Sequence, residues 1–497
     1  MTPQTTIAAR GQALRALLCL LAFSPAGLPA AETVGSGNCT VRLLHSDDES
    51  ELPSRYEGKI INPVAKHRLV VEEALKLMPP LTCAAVQRVV FVRTIKGHAG
   101  EEGWVSNDTP DLVNINVDVV DPLRRAGDDM GAYWTVKPMQ AVLHEATHSA
   151  DFLLHSHDSV EGALGKLQGK NLYEDSIATL KPDPDLWSAN AQQLAKEAVE
   201  QNRLGGSLRA EWTRIQDGFR AFGWAGAYRG PRKSNETDDY KQLVKDGFTS
   251  RYGATSVGED IAEFAGWMLA APLMEREWDG KVMPAIAVDD HACRQLRAQT
   301  SSGVPSELAV LYTKANLLLS TGLVTQEAYD RCVGRLKLVQ HGEGIHVWDH
   351  VGDPKDGNWQ YKRSFTTDMK ASIGAYEKLD RYVFDMSAWG NADYGGKNYP
   401  TVIELRIAIA PLDADIKTVS WPRGIYDLHA LGNNFSVTIP DAPAGTFFAI
   451  QGKLLIGYAT SERIDGSLVL EQAIRPNAPI PVPQTGLPQK FTIALRK

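Results

Sequence analysis

Cysteine is scarce in this chain, with five in 497 residues. That is too few for a disulfide-dense scaffold, so the core must come from apolar burial. An excess of positive charge is also missing. Lys and Arg number 52 against 60 Asp and Glu, a net charge of −8, which argues against a nucleic-acid-binding surface. Beyond the N-terminus no apolar run approaches the roughly 20 residues that a membrane-spanning helix needs. No internal repeat of fixed period stands out, which sets solenoids and propellers aside. With 43% hydrophobic and 23% charged residues, the composition is that of a globular protein of two or three domains.

The one short apolar run, Ala16 to Phe23, lies close to the start of the chain. Arg10 and Arg15 supply positive charge before its end, and Pro25 to Ala31 is small and helix-breaking, with Ala30 or Ala31 just before a cut. Residues 1–30 therefore read as a secretory signal peptide, and the protein as exported, periplasmic or extracellular. Cys19 lies inside the apolar run without the small residues of a lipoprotein cleavage site. Its removal leaves Cys39, Cys83, Cys293 and Cys332, an even set that suggests two disulfides. Nearness in sequence favours Cys39–Cys83 and Cys293–Cys332.

The next part of the chain mixes helix and strand periods. Leu69 to Met78 is amphipathic at helical spacing and is stopped by Pro79 and Pro80, whereas Arg88 to Ile95 is β-branched and strand-like. Leu112 to Val120 alternates apolar and polar residues, as a half-buried strand does, and is either a sheet-edge strand that could pair with an extended substrate or an ordinary internal strand. A helix is expected from about Thr135, with the Thr135 hydroxyl as cap and Pro138 in the first turn. Residues 160–245 read as mostly helical, with a surface loop from Gly223 to Asp239. Further helices are expected over Val257 to Leu269, Ser306 to Leu319 and Gln326 to Leu336. After about His341 short alternating runs take over, such as Ile403, Leu405, Ile407 and Ile409, punctuated by Gly and Pro. They predict a β-sandwich or small barrel. The proline-rich stretch Pro476 to Pro488 is excluded from any central strand.

One motif carries specific chemistry. His144-Glu145-Ala146-Thr147-His148 places two imidazoles on one face of a helix, where both can reach the same ion. Glu145 projects to the side, where it can take a proton from a metal-bound water. Zinc needs a third protein ligand and an open fourth position. The extended motif with a glycine and a third histidine fails, because Asp151 and Leu154 stand at those places. The third ligand is therefore expected to be a carboxylate from a later helix, with Glu259 and Glu263 one turn apart as the candidates.

The segment Arg251 to Phe264, with Tyr252, Glu259, Ala262 and Glu263, resembles the third-ligand segment of the anthrax-lethal-factor-like zinc metallopeptidases, gluzincins that pair HExxH with a later Tyr-(six residues)-Glu-x-x-Ala-Glu. The resemblance implies His144, His148 and Glu259 as ligands of one Zn2+ ion and Glu145 as general base. It implies Tyr252 as the hydroxyl that stabilises the oxyanion. Asp151 matches an acid often found in that family, and Asp151 and Glu263 are candidates to orient the ligand imidazoles. Thr147 stands where the family usually has Gly, and the long interval from His148 to Glu259 implies an inserted helical subdomain at about 160–245. The likeness is confined to two short segments.

The expected organisation follows. Residues 32–338 form an α+β zincin-like metallopeptidase domain, mostly helical with a small mixed sheet. Residues 340–497 form an all-β, sandwich-like domain that binds substrate, contacts a cell surface or braces the first domain. The expected activity is secreted, zinc-dependent endopeptidase cleavage of a protein or peptide substrate, without nucleic acid and without a transmembrane segment. Two alternatives stand beside it: a non-catalytic secreted binding or adhesion protein with a degenerate or structural metal site, and a zinc hydrolase of non-peptide cell-wall amides.

Overall fold

Two hydrophobic strands, Arg88–Arg93 (β4) and Thr109–Asn116 (β6), pair in parallel at the centre of a six-stranded mixed sheet. The computed structural model describes residues 32–51, 59–93, 100–106, 108–120, 131–156, 184–202, 204, 208–221, 223–230, 240–274, 277–278, 281–282, 293, 309–333, 344–350, 359–394, 396–440, 446–474 and 489–497. Glu32–Ser36 (β1), Cys39–Leu43 (β2), Lys59–Ile60 (β3) and Gly103–Ser106 (β5) complete the sheet in the order β1-β2-β4-β6-β5, with β3 also on β4. The expected signal peptide, residues 160–183, 203, 205–207, 222 and 231–239 of the expected insertion, and Pro476 to Pro488 lie outside the described residues.

Of the edge and internal places open to Leu112 to Val120, the structure shows the internal one. β6 is internal, hydrogen-bonded to β4 on one side and to β5 on the other, and β5 is the terminal strand. β6 is also buried on both faces rather than half-buried. Val113 and Ile115 join the main core, while Leu112 packs with Val90, Val92 and Trp104 on the opposite face. The polar residues of the alternation are buried as well, and backbone carbonyls accept from their amide N–H groups. Asn114 Nδ2 donates to Trp104 O at 3.0 Å, and Asn116 Nδ2 donates to Glu101 O at 3.0 Å. Buried amides of this kind are tolerable only when so paired, and these two hold β5 against the sheet.

Helices cover one face. Ala65–Leu75 (α1) and Pro80–Ala85 (α2) pack with the long helix Gly131–Ser156 (α3) on β5 and β6. α3 begins before Thr135, so Pro138 falls inside the helix and not in its first turn. Behind α3 lie Ala189–Asn202 (α4), Leu208–Ala221 (α5), Tyr240–Lys245 (α6), Val257–Met274 (α7), Ala309–Ser320 (α8) and Gln326–Val333 (α9). Among the described residues of the remaining chain before the barrel, Glu277–Trp278 (β7) and Lys281–Val282 (β8) form a small ribbon. Cys39–Cys83 and Cys293–Cys332 form disulfides closing loops of 44 and 39 positions. In the chain-entropy picture each such cross-link contributes about 4 kcal/mol by restricting the unfolded chain. No described helix is long and apolar enough to cross a membrane.

The C-terminal strands form one antiparallel sheet that curls until it closes. They are Gly344–His350 (β9), Trp359–Tyr376 (β10), Arg381–Tyr394 (β11), Lys397–Pro411 (β12), Gly424–Asp427 (β13), Asn434–Thr438 (β14), Phe447–Ala459 (β15), Arg463–Ile474 (β16) and Gln489–Arg496 (β17). The order is β13-β15-β14-β12-β11-β10-β9-β17-β16, and the β15–β16 pairing completes the ring. Of the sandwich and the barrel that the alternating runs allowed, hydrogen bonding thus runs round a single barrel-like sheet. Strands such as β10, 18 residues long, bend through register shifts at Tyr361/Arg363 and Tyr382/Val383, as bulges permit. Phe384, Phe435, Leu454 and Phe491 fill its interior.

Lys490 in β17 is a buried cation, and burial lowers its pKa to about 8. An unfolded lysine titrates near 10.5. Below pH 8 both states carry the charge and the folded state bears the net cost of burying it. Between pH 8 and 10.5 the folded state sheds its proton first and the penalty is relieved. Lys490→Met is therefore expected to stabilise the protein at pH 7, by up to about 3 kcal/mol for a shift of this size. Thermal melts from pH 7 to 10.5 should show that gain shrinking towards zero; a gain independent of pH would refute the assignment.

Candidate metal centre

α3 carries His144 and His148 one turn apart, with ring centroids 4.9 Å from each other. α7 crosses α3 at this level, and Gly266 makes the crossing close. A Cβ on Gly266 would lie 3.2 Å from both Cα and N of His144. Ser256 starts α7 by accepting a hydrogen bond from the Glu259 N–H at 3.3 Å, as an N-cap serine does. Glu259 then sits in the first turn of α7, and its Oε2 reaches His144 Nε2 at 3.1 Å and His148 Nε2 at 3.3 Å. One ligand atom from each of the three lies within 4.8 Å of the other two, so the group could hold a metal ion. Bonds of about 2.0–2.1 Å in a tetrahedral site put neighbouring donors about 3.4 Å apart, close to the two spacings seen.

The electrostatics suit a cation. Burial alone would lower the His144 pKa, but hydrogen bonds to Glu259 and Glu263 and the charge of Glu145 raise it well above its ordinary value. Burial would raise the Glu259 carboxyl, yet the two imidazoles hold it well below the usual carboxylate range. Positive charge is thus favoured at the point where the three side chains meet.

The far side of the His144 ring is fixed by a chain of contacts. Nδ1 meets Glu263 Oε2 at 3.1 Å, and Trp267 Nε1 donates to Glu263 Oε1 at 3.0 Å. A carboxylate only accepts, so Nδ1 carries a hydrogen; Nε2 faces Glu259 in the same way and is the atom that would exchange its proton for an ion. Gln140 Nε2 donates to Glu263 at 3.4 Å, and Lys137 Nζ donates to Gln140 Oε1 at 2.8 Å. Lys137 also pairs with Glu102 at 2.7 Å and lies 5.1 Å above the Trp267 ring. Desolvation would raise the Glu263 carboxyl, but His144, Lys137 and Trp267 bring it down to about 2.

Glu145 is buried between α3 and the edge strand, and its Oε2 makes no hydrogen bond among the described residues. Burial pushes its pKa up to about 7, with Glu259 and Glu101 adding to the rise and the two histidines opposing it. Gly103 on β5 makes the room: a Cβ there would lie 2.7 Å from Glu145 Cγ and 2.6 Å from Asn114 O. The second contact is backbone and cannot yield, so Gly103→Ala must shift β5 against β6, and Glu145 must give way as well. Such overpacking is expected to cost about 1–3 kcal/mol. The Tm of this variant should fall accordingly, while metal stoichiometry stays at the parental value. An unaltered Tm would show that the close approach at Gly103 is not needed.

Tyr252 lies on the turn before α7, its ring 5.9 Å from that of His144 and the residue 49% exposed. Desolvation of the hydroxyl and the carboxylates of Glu259, Glu145 and Glu101 hold its pKa far above the ordinary value, so it remains a donor at neutral pH. Asp151, expected beside the His148 ring, has Arg209 Nε of α5 as its partner at 2.6 Å. Arg209 in turn packs against Gly258, the residue before Glu259. Asp151 thus acts at the α3–α5–α7 junction.

Gly103, Lys137, Gln140 and Gly266 escaped the reading of the sequence. A signal existed for two of them. Lys137, Gln140, His144 and His148 recur at three- and four-residue steps, a polar stripe on a helix whose described part is otherwise mostly buried and apolar. No family model, curated protein or solved structure matches this chain.

Proposed function

We propose that this protein is an exported zinc endopeptidase of the gluzincin kind, akin to the anthrax-lethal-factor-like metallopeptidases. One observation carries the reading. Glu259 of α7 converges on both imidazoles of the HExxH helix, while Glu145 of the same motif lies beside the group, its Oε1 4.0 Å from His144 Nε2, and packs against the edge strand. A purely structural site needs no such base. The two-histidine, one-carboxylate donor set suits zinc with an open fourth position, and the α+β architecture is compatible with a zincin fold.

His144, His148 and Glu259 would hold the ion. When bound, zinc lowers the pKa of a coordinated water and polarises a carbonyl oxygen. Glu145, with its acceptor oxygen unengaged and its pKa near neutrality, takes the water's proton and returns it to the leaving amine. Tyr252 donates a hydrogen bond to the oxygen on which negative charge develops. β5, the terminal strand of the sheet among the described residues, offers main-chain groups to an extended peptide beside Glu145.

A digest of a diverse peptide library by the purified protein tests the reading. Cleavage should disappear on chelation and return with about one equivalent of zinc per chain. Zinc bound at that stoichiometry without any cleavage would leave a binding protein; absence of zinc binding would remove the metallopeptidase reading altogether.

A further inference from the structure

Asp260 follows the ligand Glu259 on α7 but points into the protein interior, where it is fully buried. Its Oδ2 receives three donors: Lys314 Nζ at 2.5 Å, Trp212 Nε1 at 2.8 Å and the Tyr228 hydroxyl at 2.9 Å. Lys314 is equally buried. It also donates to Gly247 O at 2.6 Å and lies over the rings of Phe248 and Trp212 at 4.9 and 5.3 Å. One carboxylate oxygen therefore gathers α5, α8 and the segments around Tyr228 and Gly247 onto the first turn of α7.

The same cluster supports the turn that carries Tyr252. Gly253 lies against Asp260, since a Cβ there would be 3.4 Å from Oδ1 and 3.5 Å from the Asp260 Cα. The neighbours of Tyr228 bond the other side of that turn, Arg229 N to Ala254 O at 2.9 Å and Gly230 N to Thr255 O at 3.1 Å. Within the turn, Thr255 Oγ1 donates to Tyr252 O at 2.7 Å.

The two helices that hold Asp260 are also those on which the barrel rests. On α8, Tyr312 faces Gly457 of β15 so closely that a Cβ on Gly457 would lie 2.4 Å from its Cε1. On α5, Glu211 pairs with Arg423 at 3.3 Å, both side chains 1% exposed. Ile425 and Leu455 of the barrel join the helical core. Burying an ion pair brings no dependable gain in stability over apolar residues of similar volume. What three donors on one oxygen do supply is direction.

We propose that Lys314 is a positioning residue for the metal centre: through Asp260 it sets Glu259 and the Tyr252 turn, and α8 carries the bracing of the C-terminal barrel to that point. The inference rests on the metallopeptidase reading above. It assigns the barrel a part in the geometry of the site without requiring the barrel to touch substrate.

The test uses the full-length chain with both charges removed together, Lys314→Met with Asp260→Asn, so that no buried charge is left alone. Zinc affinity is measured by titration of chelated protein, and kcat and KM on one peptide from the library. The expected result is a folded protein whose zinc affinity is roughly 10- to 100-fold weaker, the range for residues that orient ligands. The loss should appear in kcat, with KM nearly unchanged. Tyr228→Phe, which removes one donor and keeps the ion pair, gives the reading if the double variant does not fold. It should weaken zinc binding several-fold with little change in Tm. Parental zinc affinity and kcat in a folded double variant overturn the proposal, as do parental values in Tyr228→Phe should the double variant not fold. A wild type without zinc binding overturns the metallopeptidase reading and this proposal with it, which separates the two failures.

Discussion

Glu145→Gln should lose peptide hydrolysis by roughly a hundred- to ten-thousand-fold, the contribution of a positioned general base, and should still bind about one zinc per chain. The substitution preserves shape, so Gly103 still clears the side chain. It removes the capacity to accept a proton and leaves the three ligand atoms in place. The pH profile of the wild type follows from the same group. Burial raises the Glu145 carboxyl to about 7, whereas a cation at the neighbouring ligands opposes the rise. The base works only when deprotonated, so kcat/KM should fall as pH drops through a value at or below about 7. That acid limb should be absent from the residual activity of Glu145→Gln. Undiminished hydrolysis by this variant would mean that another group removes the proton, and loss of zinc would mean that Glu145 shapes the ligand set.

How much of this could be read in the sequence depends on the range of the interaction. The helical stripe bearing His144 and His148 is local, set by spacing along one element, and so is the helix of Glu259 with Ser256 as its cap. The mixture of helices with a sheet and the later run of alternating strands were legible for the same reason. Strand neighbours were not. Leu112 to Val120 has the alternation of an edge strand, yet Asn114 and Asn116 are polar because they bond backbone carbonyls inside the sheet. The true edge, Gly103–Ser106, is four residues long and shows too short a pattern to register. Closure of the barrel between β15 and β16 is likewise a pairing choice that no local pattern dictates.

Glycine and buried charge mark the same boundary within the site. Gly103 and Gly266 matter because another backbone or side chain approaches from far along the chain. Lys314 reads as an ordinary polar position on an apolar helix until Asp260, 54 positions away, is brought against it. Spacing left Asp151 either to orient a ligand imidazole or to take part in an ion pair, and Arg209 of α5 holds the carboxylate with a full charge and a short bond. A long-range ion pair therefore decides what spacing alone could not.

Glu259→Ala should abolish stoichiometric zinc binding, with affinity falling by more than the roughly 100-fold that loss of an orienting residue can cause. Among the described residues, Glu259 Oε2 is the one carboxylate oxygen within 3.3 Å of both Nε2 atoms, so without it two imidazoles remain as described ligands. Glu263 cannot replace it where it stands, because its oxygens are engaged by His144 Nδ1 and Trp267 Nε1 on the far side of the ring. Glu263→Gln provides the contrast. It keeps all three ligand atoms and turns the partner of Nδ1 into an amide, so zinc should stay bound with affinity reduced by about 10- to 100-fold. Metal analysis after gel filtration and zinc titration separate the two outcomes. Bound zinc should also raise the Tm of the wild type by mass action, and that rise should vanish in Glu259→Ala while persisting in Glu263→Gln at higher zinc. The reverse order, zinc retained without Glu259 and lost without Glu263, would exchange the roles of the two carboxylates and require the His144 ring to turn over in the bound state.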